Sequence, residues 1–273
     1  MSSRRETVIA VYGPVISPER VATFYSFATK AMDALGHPPG FVLISRRSKK
    51  GKYTTLRTAD AQLAKDGYED VTAIEVTAGP PESKGKLNTH SASAFIDVGE
   101  QFAHFSADAS ILSLSRNEIL PLADEIFRIL GRSHGIAYKM PMNLGPTWYA
   151  IGICYSKNID AAIEAESAEA DEEDMRISRW GHTYMPARVW EMGLLRDVYP
   201  WNFLNAPQLA KLVGKLPLEK WIKQDSSRGT LTPMANGLMF WELTASQIPD
   251  VRDALNKADL IIDWEKHRSL VGG

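Results

Sequence analysis

The stretch SASAFIDVGEQFAHFSADASIL, residues 91–112, decides the fold class of this chain. Two runs rich in strand-forming residues flank the pair Gly99-Glu100, a short connection that predicts an antiparallel hairpin. The helical pattern NEILPLADEIFRIL follows, and Gly131 is placed to end it. A hairpin followed by a helix departs from a strict strand–helix–strand alternation. The order therefore predicts an α+β fold with mixed or antiparallel sheets and flanking amphipathic helices.

The residues before and after the hairpin continue this pattern. TVIAVYG predicts a strand, and the next helix has Ser17 as its N-cap, Pro18 at its first position and Gly36 just past its end. A short helix capped by Thr58 and the strand VTAIEVTA lead to the hairpin. After the second long helix, IAYKMPM and TWYAIGICYS predict two further strands. We therefore expect an N-terminal α+β unit over residues 1–156.

A second α+β unit is expected over residues 176–273. It contains a helix from Asn205 to Gly214, a short helix LPLEKWIKQ and a final helix SQIPDVRDALNKA. TLTPMANGLMFWEL predicts a hairpin whose Asn-Gly pair fits a type I′ turn. Residues 157–175 form an acidic helix or linker between the units, and the sequence leaves open whether the units share one core.

The composition is that of an ordinary globular protein. The chain has 273 residues, of which 44% are hydrophobic and 23% charged, and no apolar run approaches the length of a membrane span. Its one cysteine, Cys154, cannot form an internal disulfide. We therefore expect a soluble, cytoplasmic protein of a reducing compartment.

The acidic stretch EAESAEADEED, residues 164–174, carries much of the negative charge. Without Asp160 and the seven acids of this stretch, 25 acidic residues face 31 basic ones, which leaves about +6. The stretch has no glycine for a calcium-binding loop. Two interpretations stay open: a solvated linker, or a surface for a basic partner. The residues expected to contact such a partner are Glu169, Asp171, Glu172, Glu173 and Asp174.

Catalytic and metal-binding patterns are weak. GRSHG places Ser133 in a G-x-S-x-G motif, but a hydrolase needs that serine on a strand-to-helix turn, and here a helix precedes the motif and a strand follows it. Cys154 lies in an apolar pattern typical of a core cysteine, and only the fold could bring His182 near it. The six histidines are scattered. The sequence predicts a protein that is not an enzyme, with no cofactor and no metal; a serine hydrolase using Ser133 is the alternative.

One basic loop provides a further alternative. In SRRSKKGKYTTLR, the five cations from Arg46 to Lys52 could neutralise phosphates, and Tyr53 could stack on a base. The net charge of −2 and the lack of a recognised nucleic-acid module favour a solvated loop. A component of a mobile element that contacts nucleic acid through Arg46 to Lys52 therefore stays the weaker interpretation.

The segment RDVYPWNFLN places three aromatic residues next to a proline. Tyr199 and Trp201 could be anchors in a protein interface. The stronger interpretation is that Tyr199, Trp201 and Phe203 fill a core. We keep Tyr199 and Trp201 as candidate partner-binding residues beside that interpretation.

A family resemblance rests on the run GLLRDVYPWNFLNAPQLAKLVG, followed by LEKWI, LMFWEL and IPDVRDAL. This pattern of aromatics, glycines and turns resembles immunity proteins of bacterial polymorphic-toxin and type VI secretion systems. The strand–helix–strand order of the N-terminal part and the run TWYAIG are compatible with the same pattern. The resemblance implies a protein that binds and blocks a cognate toxin with a basic surface, with no catalysis of its own. An acidic element could then imitate the nucleic acid on which such a toxin acts.

Ser133 is expected not to act as a nucleophile, because the turn that carries it connects a helix to a strand. The Ser133→Ala variant should hydrolyse an activated ester at the same background rate as the parent. Stopped-flow measurement of product release checks this. A stoichiometric burst in the parent that disappears in the variant would establish the hydrolase alternative instead.

Overall fold

The computed structural model shows an α+β protein in which antiparallel strand pairs are flanked by helices, as the sequence predicts. Within the described residues, no helix is long and apolar enough to cross a membrane. The chain divides into two compact units, Met1–Gly131 with Lys139–Met142, and Arg132–Tyr138 with Asn143–Gly273. The structure describes residues 4–13, 16–79, 90–131, 134–142, 145–152, 175–176, 188–263, 265–267 and 269.

The first unit contains six strands in the order β1-β6-β5-β4-β2-β3. The predicted hairpin is β5 and β6, which pair from Ala92↔Ala107 to Asp97↔Phe102. Its elements are β1 (Arg5–Tyr12), α1 (Pro18–Ala34), β2 (Phe41–Arg46), β3 (Tyr53–Thr55), α2 (Leu56–Asp66), β4 (Val71–Ala78), β5 (Ala92–Asp97), β6 (Phe102–Asp108) and α3 (Arg116–Leu130).

The two faces of this sheet differ in chemistry. The register of β1 and β6 pairs Ile9 with Phe105 on one face and Ala10 with His104 on the other. Helix α1 packs on the apolar face, where the rings of Phe27 and Phe105 lie 5.9 Å apart. The opposite face carries buried polar side chains, and it is described with the candidate site below.

The caps of α1 confirm the predicted start of this helix. The Ser17 hydroxyl accepts a hydrogen bond from the Arg20 amide at 3.4 Å, and Pro18 begins the helix. The helix buries Val21, Phe24, Tyr25, Ala28 and Met32. Arg20 also donates to the Leu130 carbonyl at 2.7 Å, which supplies a partner to the C-terminal end of α3.

The second unit has a smaller sheet in the order β7-β8-β12-β11. Residues 134–138 of β7 belong to this unit. Its elements are β7 (His134–Pro141), α4 (Pro146–Ala150), β8 (Trp201–Leu204), α5 (Ala206–Ala210), β9 (Leu212–Val213), β10 (Leu216–Pro217), α6 (Leu218–Lys223), β11 (Thr230–Pro233), β12 (Met239–Glu242) and α7 (Ile248–Lys257).

Strand β8 is central and buried on both faces. On one face, the Trp201 and Phe240 rings lie 5.1 Å apart in an edge-to-face arrangement. On the other face, Leu204 and Trp241 belong to an apolar core that also includes residues of α6 and α7. A capping box at Asn205 and Gln208 begins α5 directly after the strand.

Two predicted elements are wrong in type or extent. TWYAIGICYS was expected to be a strand, but α4 covers Pro146–Ala150 as a short helix, and the rest from residue 153 lies outside the described residues. Its β-forming aromatics are overridden by tertiary packing, because Tyr149 is buried against Tyr138 and Tyr199. The helix expected up to Gly214 ends at Ala210, because the next residues form β9.

Two predicted local details are also wrong. Thr55, and not Thr58, caps α2, since the Thr55 hydroxyl accepts a hydrogen bond from the Thr58 amide. The β11–β12 connection is longer than a two-residue type I′ turn, because Pro233 pairs with Met239. Within it Gly237, and not Asn236, has a positive φ, at 84°.

The predicted division of the chain into residues 1–156, 157–175 and 176–273 stays a prediction. The expected linker, 157–175, lies outside the described residues except for Met175.

Trp201→Ala is expected to lower the free energy of unfolding by about 3–5 kcal/mol, because it leaves a cavity beside Phe240. Urea denaturation followed by circular dichroism measures the change. Met192→Ala is the control, since Met192 is 42% exposed, and it should change the free energy by less than about 0.5 kcal/mol. A Trp201→Ala variant as stable as the parent would contradict the buried placement.

Candidate functional site

Several titratable side chains lie close together on the face of the first unit's sheet that is opposite α1. The strand registers place one polar side chain from each of β1, β3, β4 and β6 on this face, opposite α1. We call this set, together with His90 just before β5, the sheet cluster. Its members are Glu6, Tyr53, Glu75, His90 and His104.

Glu6 and His90 form a buried acid–base pair. The His90 Nε2 lies 3.1 Å from the Glu6 Oε1, and Glu6 is 1% exposed. Burial disfavours a charge on His90, but the hydrogen bond to Glu6 and the charges of Glu6 and Glu75 outweigh it, so the pKa of His90 is raised. Arg4 donates to the His90 carbonyl at 2.6 Å and forms an ion pair with Asp108, which fixes this segment beside β6.

Glu75 and Tyr53 form a second pair across the edge of the sheet. The Tyr53 hydroxyl donates to the Glu75 Oε2 at 2.5 Å. Burial raises the pKa of the Glu75 carboxyl, although this hydrogen bond and the nearby His90 act in the opposite direction. Burial and the charge of Glu75 raise the pKa of Tyr53 above its ordinary value, so the tyrosine stays a proton donor.

His104 is enclosed by aromatic rings. Its ring lies 5.8 Å from the rings of both Phe95 and Phe102. Neither ring nitrogen has a hydrogen-bond partner within the described part of the chain. Burial and the nearby charge of His90 lower the pKa of His104 to about 3, so the side chain is neutral at physiological pH.

The titratable groups of the sheet cluster have pKa values shifted in different directions: the pKa of His90 is raised and that of His104 is lowered. Such divergence is a feature of acid–base sites, and it also arises in buried structural networks. Among the described residues, no group of three or more His, Cys, Asp and Glu side chains has the arrangement of a metal site. The cluster is therefore a candidate for proton binding, and Glu6–His90 is the pair that would carry it.

A second buried polar group lies in the second unit around Arg196. This guanidinium donates to the Ala150 carbonyl at 2.6 Å, the Tyr149 carbonyl at 3.2 Å and the Tyr199 hydroxyl at 2.9 Å. Its carbon Cζ lies 4.9 and 5.1 Å from the centres of the Tyr149 and Tyr199 rings. The next residue, Asp197, forms an ion pair with Arg252 at 2.6 Å. Arg196 thus connects α4 with the segment that leads into β8 through these hydrogen bonds.

The residues predicted to bind a partner are placed as follows. Tyr199 and Trp201 are 5% and 4% exposed, so both belong to the interior, as the core interpretation expects. Tyr199 contacts Arg196, while Trp201 packs on Phe240. The acidic candidates lie outside the described residues, namely Glu169, Asp171, Glu172, Glu173 and Asp174.

The residues named for the hydrolase and nucleic-acid alternatives are placed as follows. Ser133, Cys154 and His182 lie outside the described residues, although α3 and β7 confirm the helix-to-strand order around Ser133. In the basic loop, Arg46 is paired with Asp70 and donates to the Gly67 carbonyl. Three lysines of this loop are exposed, namely Lys49, Lys50 and Lys52.

Sequence reasoning missed the sheet cluster and Arg196. A signal existed for His104, which stands between Ala103 and Phe105 in β6. Glu6 gave none, because it lies at the polar start of β1. No local pattern could join Glu6 to His90, because 84 positions separate them. Likewise, no local pattern links Arg196 to Ala150.

Comparison with known proteins gives a distant structural similarity. No protein-family model matches the chain, and no curated protein matches it. A solved structure of the Pseudomonas aeruginosa T6SS protein PA0821 is similar in fold, with a TM-score of 0.50 and 12% sequence identity. The similarity covers 95% of this chain and 73% of that one. At this identity the comparison establishes the shared fold.

His104 is expected to make the folded state sensitive to acid. Its pKa is lowered to about 3 by folding, from an ordinary value of 6.5, so the unfolded chain gains a proton first as the pH falls. Stability from the neutral ring is complete above about pH 6.5 and is lost as the pH drops towards 3, by roughly 2–3 kcal/mol at pH 4.5. Urea denaturation of the parent and of His104→Gln at about pH 7.5 and 4.5 measures this difference.

The expected result is a smaller loss of stability on acidification in His104→Gln than in the parent. The control is His37→Gln, in the loop after α1, which should keep the pH dependence of the parent. Equal losses in the parent and in His104→Gln would show that His104 does not titrate as its burial requires.

Proposed function

We propose that this chain is a protein-binding component of a type VI secretion system that neutralises a cognate effector, in the cytoplasm and without catalysis of its own. The observation that carries the proposal is the fold shared with a T6SS protein along nearly the whole chain. The pattern of aromatics and turns in residues 193–255 supports it independently, because that pattern resembles immunity proteins.

The run GLLRDVYPWNFLNAPQLAKLVG, which carries the resemblance, has a structural role in the second unit. It forms β8, the capping box of α5 and part of the apolar core of the second unit. Tyr199 and Trp201 are buried there. The run therefore maintains the scaffold, and the surface that contacts an effector lies elsewhere.

The acidic segment is the best candidate for that surface. Seven acidic residues within eleven positions create a strong local negative potential. A basic cleft on a toxin that acts on nucleic acid would be attracted to it, and the attraction would speed association at low salt. We infer that Glu169, Asp171, Glu172, Glu173 and Asp174 contact such a cleft.

Charge reversal tests this surface. Changing Glu172, Glu173 and Asp174 to lysine is expected to lower the association rate with the effector about tenfold or more at low salt, because favourable steering becomes repulsion. The products of the genes that flank the gene for this chain are the binding partners to test. Stopped-flow kinetics at several salt concentrations gives the rate, and survival of cells that express the effector gives the protection.

A matched control distinguishes the effect of the acidic segment from the effect of the net charge of the protein. Changing Asp66, Glu69 and Glu100 to lysine alters the net charge by the same amount at exposed positions of the first unit. This control should keep the parent's association rate within about twofold and protect cells fully. If the two triple variants behave alike, the acidic segment is not the contact surface. If the parent neither binds nor protects, the proposed function is wrong.

A further inference from the structure

The connection between β2 and β3 is a tight, ordered turn. The amides of Arg46 and Lys49 each donate to the carbonyl of the other, at 3.1 Å in both directions, so the two residues between them form the end of the turn. Arg46 forms an ion pair with Asp70, and the Arg47 amide donates to the Asp70 carbonyl at 2.9 Å. These contacts attach the turn to the connection between α2 and β4. The turn therefore has a fixed shape before any ligand binds.

Four cations project from this turn into solvent. Their side chains are exposed, and none of them forms an ion pair with a residue that the structure describes. The acidic side chains exposed on the neighbouring α2–β4 connection are Asp66 and Glu69, so the cations outnumber them. We call residues 47–52 the basic tip, and its four cations are Arg47, Lys49, Lys50 and Lys52.

Tyr53, which follows the basic tip, is not free to stack on a base. Its hydroxyl donates to the Glu75 carboxylate on β4, and its ring is half-buried on the sheet. In the strand register it lies opposite Leu43 of β2. Proteins that bind single-stranded nucleic acid gain much of their affinity from aromatic stacking. A ligand of the basic tip is therefore recognised by its charge and not by its bases.

Two other classes of anionic partner fit the basic tip less well. An extended acidic peptide would have to pair with β3, but this edge strand has three residues and lysines just before it, which oppose strand addition. An anionic membrane surface is bound more strongly when apolar side chains insert into it. Among the described residues, the exposed large hydrophobic side chains are all in the second unit.

We infer that the basic tip binds the phosphate backbone of double-stranded nucleic acid without sequence preference. A duplex carries one negative charge per about 1.7 Å of its axis, so several phosphates lie within reach of four cations on one turn. Arginine and lysine side chains are the usual partners of these phosphates. The inference goes beyond the proposed binding of an effector and does not depend on it, because that contact is assigned to the acidic segment.

Fluorescence anisotropy of a labelled short DNA duplex, titrated with the full-length chain at several salt concentrations, tests the inference. The logarithm of the affinity is expected to fall with the logarithm of the salt concentration, with a slope of about −3 to −4 for four phosphate contacts. Two duplexes of unrelated sequence should bind equally. Absence of binding at about 50 mM salt overturns the inference, and so does tighter binding of a single strand than of the duplex.

A triple variant locates the binding to the basic tip. Changing Lys49, Lys50 and Lys52 to glutamine is expected to weaken duplex binding about tenfold or more and to reduce the size of the salt slope by about 3. The matched control changes three exposed lysines of other segments to glutamine, and it should bind within about twofold of the parent. These lysines are Lys30, Lys215 and Lys220. Equal weakening in the two triple variants overturns the inference.

Competition distinguishes nucleic acid from the other polyanions. Unlabelled duplex should displace the labelled duplex at a concentration of negative charge at least tenfold lower than poly-L-glutamate or phosphatidylserine vesicles require, because phosphates are more closely spaced on the duplex. Displacement by poly-L-glutamate at the same concentration of charge would assign the basic tip to an acidic protein instead. Displacement by the vesicles at that concentration would assign it to a membrane surface, and either result overturns the inference.

Discussion

The antiparallel register between β1 and β6 is the constraint on which the first unit depends. Because side chains alternate across a strand, this register directs Ile9 and Phe105 to the helices and Ala10 and His104 to the opposite face. A shift of one residue would move the apolar set to the opposite face and place the polar set against α1. The hairpin of β5 and β6 extends the same alternation across the sheet. Fold and sheet cluster are therefore consequences of one register.

Removing the polar side chains of this face from water costs free energy, and each side chain offsets that cost in a different way. Glu6 and His90 offset it as a hydrogen-bonded pair, which favours the charged form of His90. Tyr53 and Glu75 meet it with a short hydrogen bond, and His104 meets it by staying neutral between two phenylalanines. The polar face is thus more specific than the apolar one, since its members require particular partners.

The second unit also buries a charged side chain, that of Arg196. A buried guanidinium needs acceptors on several sides, and the carbonyls of α4 together with Tyr199 supply them. The aromatic run that resembles immunity proteins thereby gains a physical explanation. Its tyrosine orients an arginine, and its tryptophan and phenylalanine fill the core beside Phe240. The run therefore builds the core of the second unit.

The sequence by itself determined the α+β class, most strands and the long helices, because alternation, capping by Ser17 and stops such as Gly131 are local signals. It also identified the acidic segment, since charge density needs no structure. The tertiary structure alone decided that residues 146–150 are helical, because packing of Tyr149 against Tyr138 and Tyr199 overrides a local strand preference. It alone decided the sheet cluster and the contacts of Arg196 as well. Glu6 and His90 lie 84 positions apart, and only chain folding brings such distant side chains within hydrogen-bond distance.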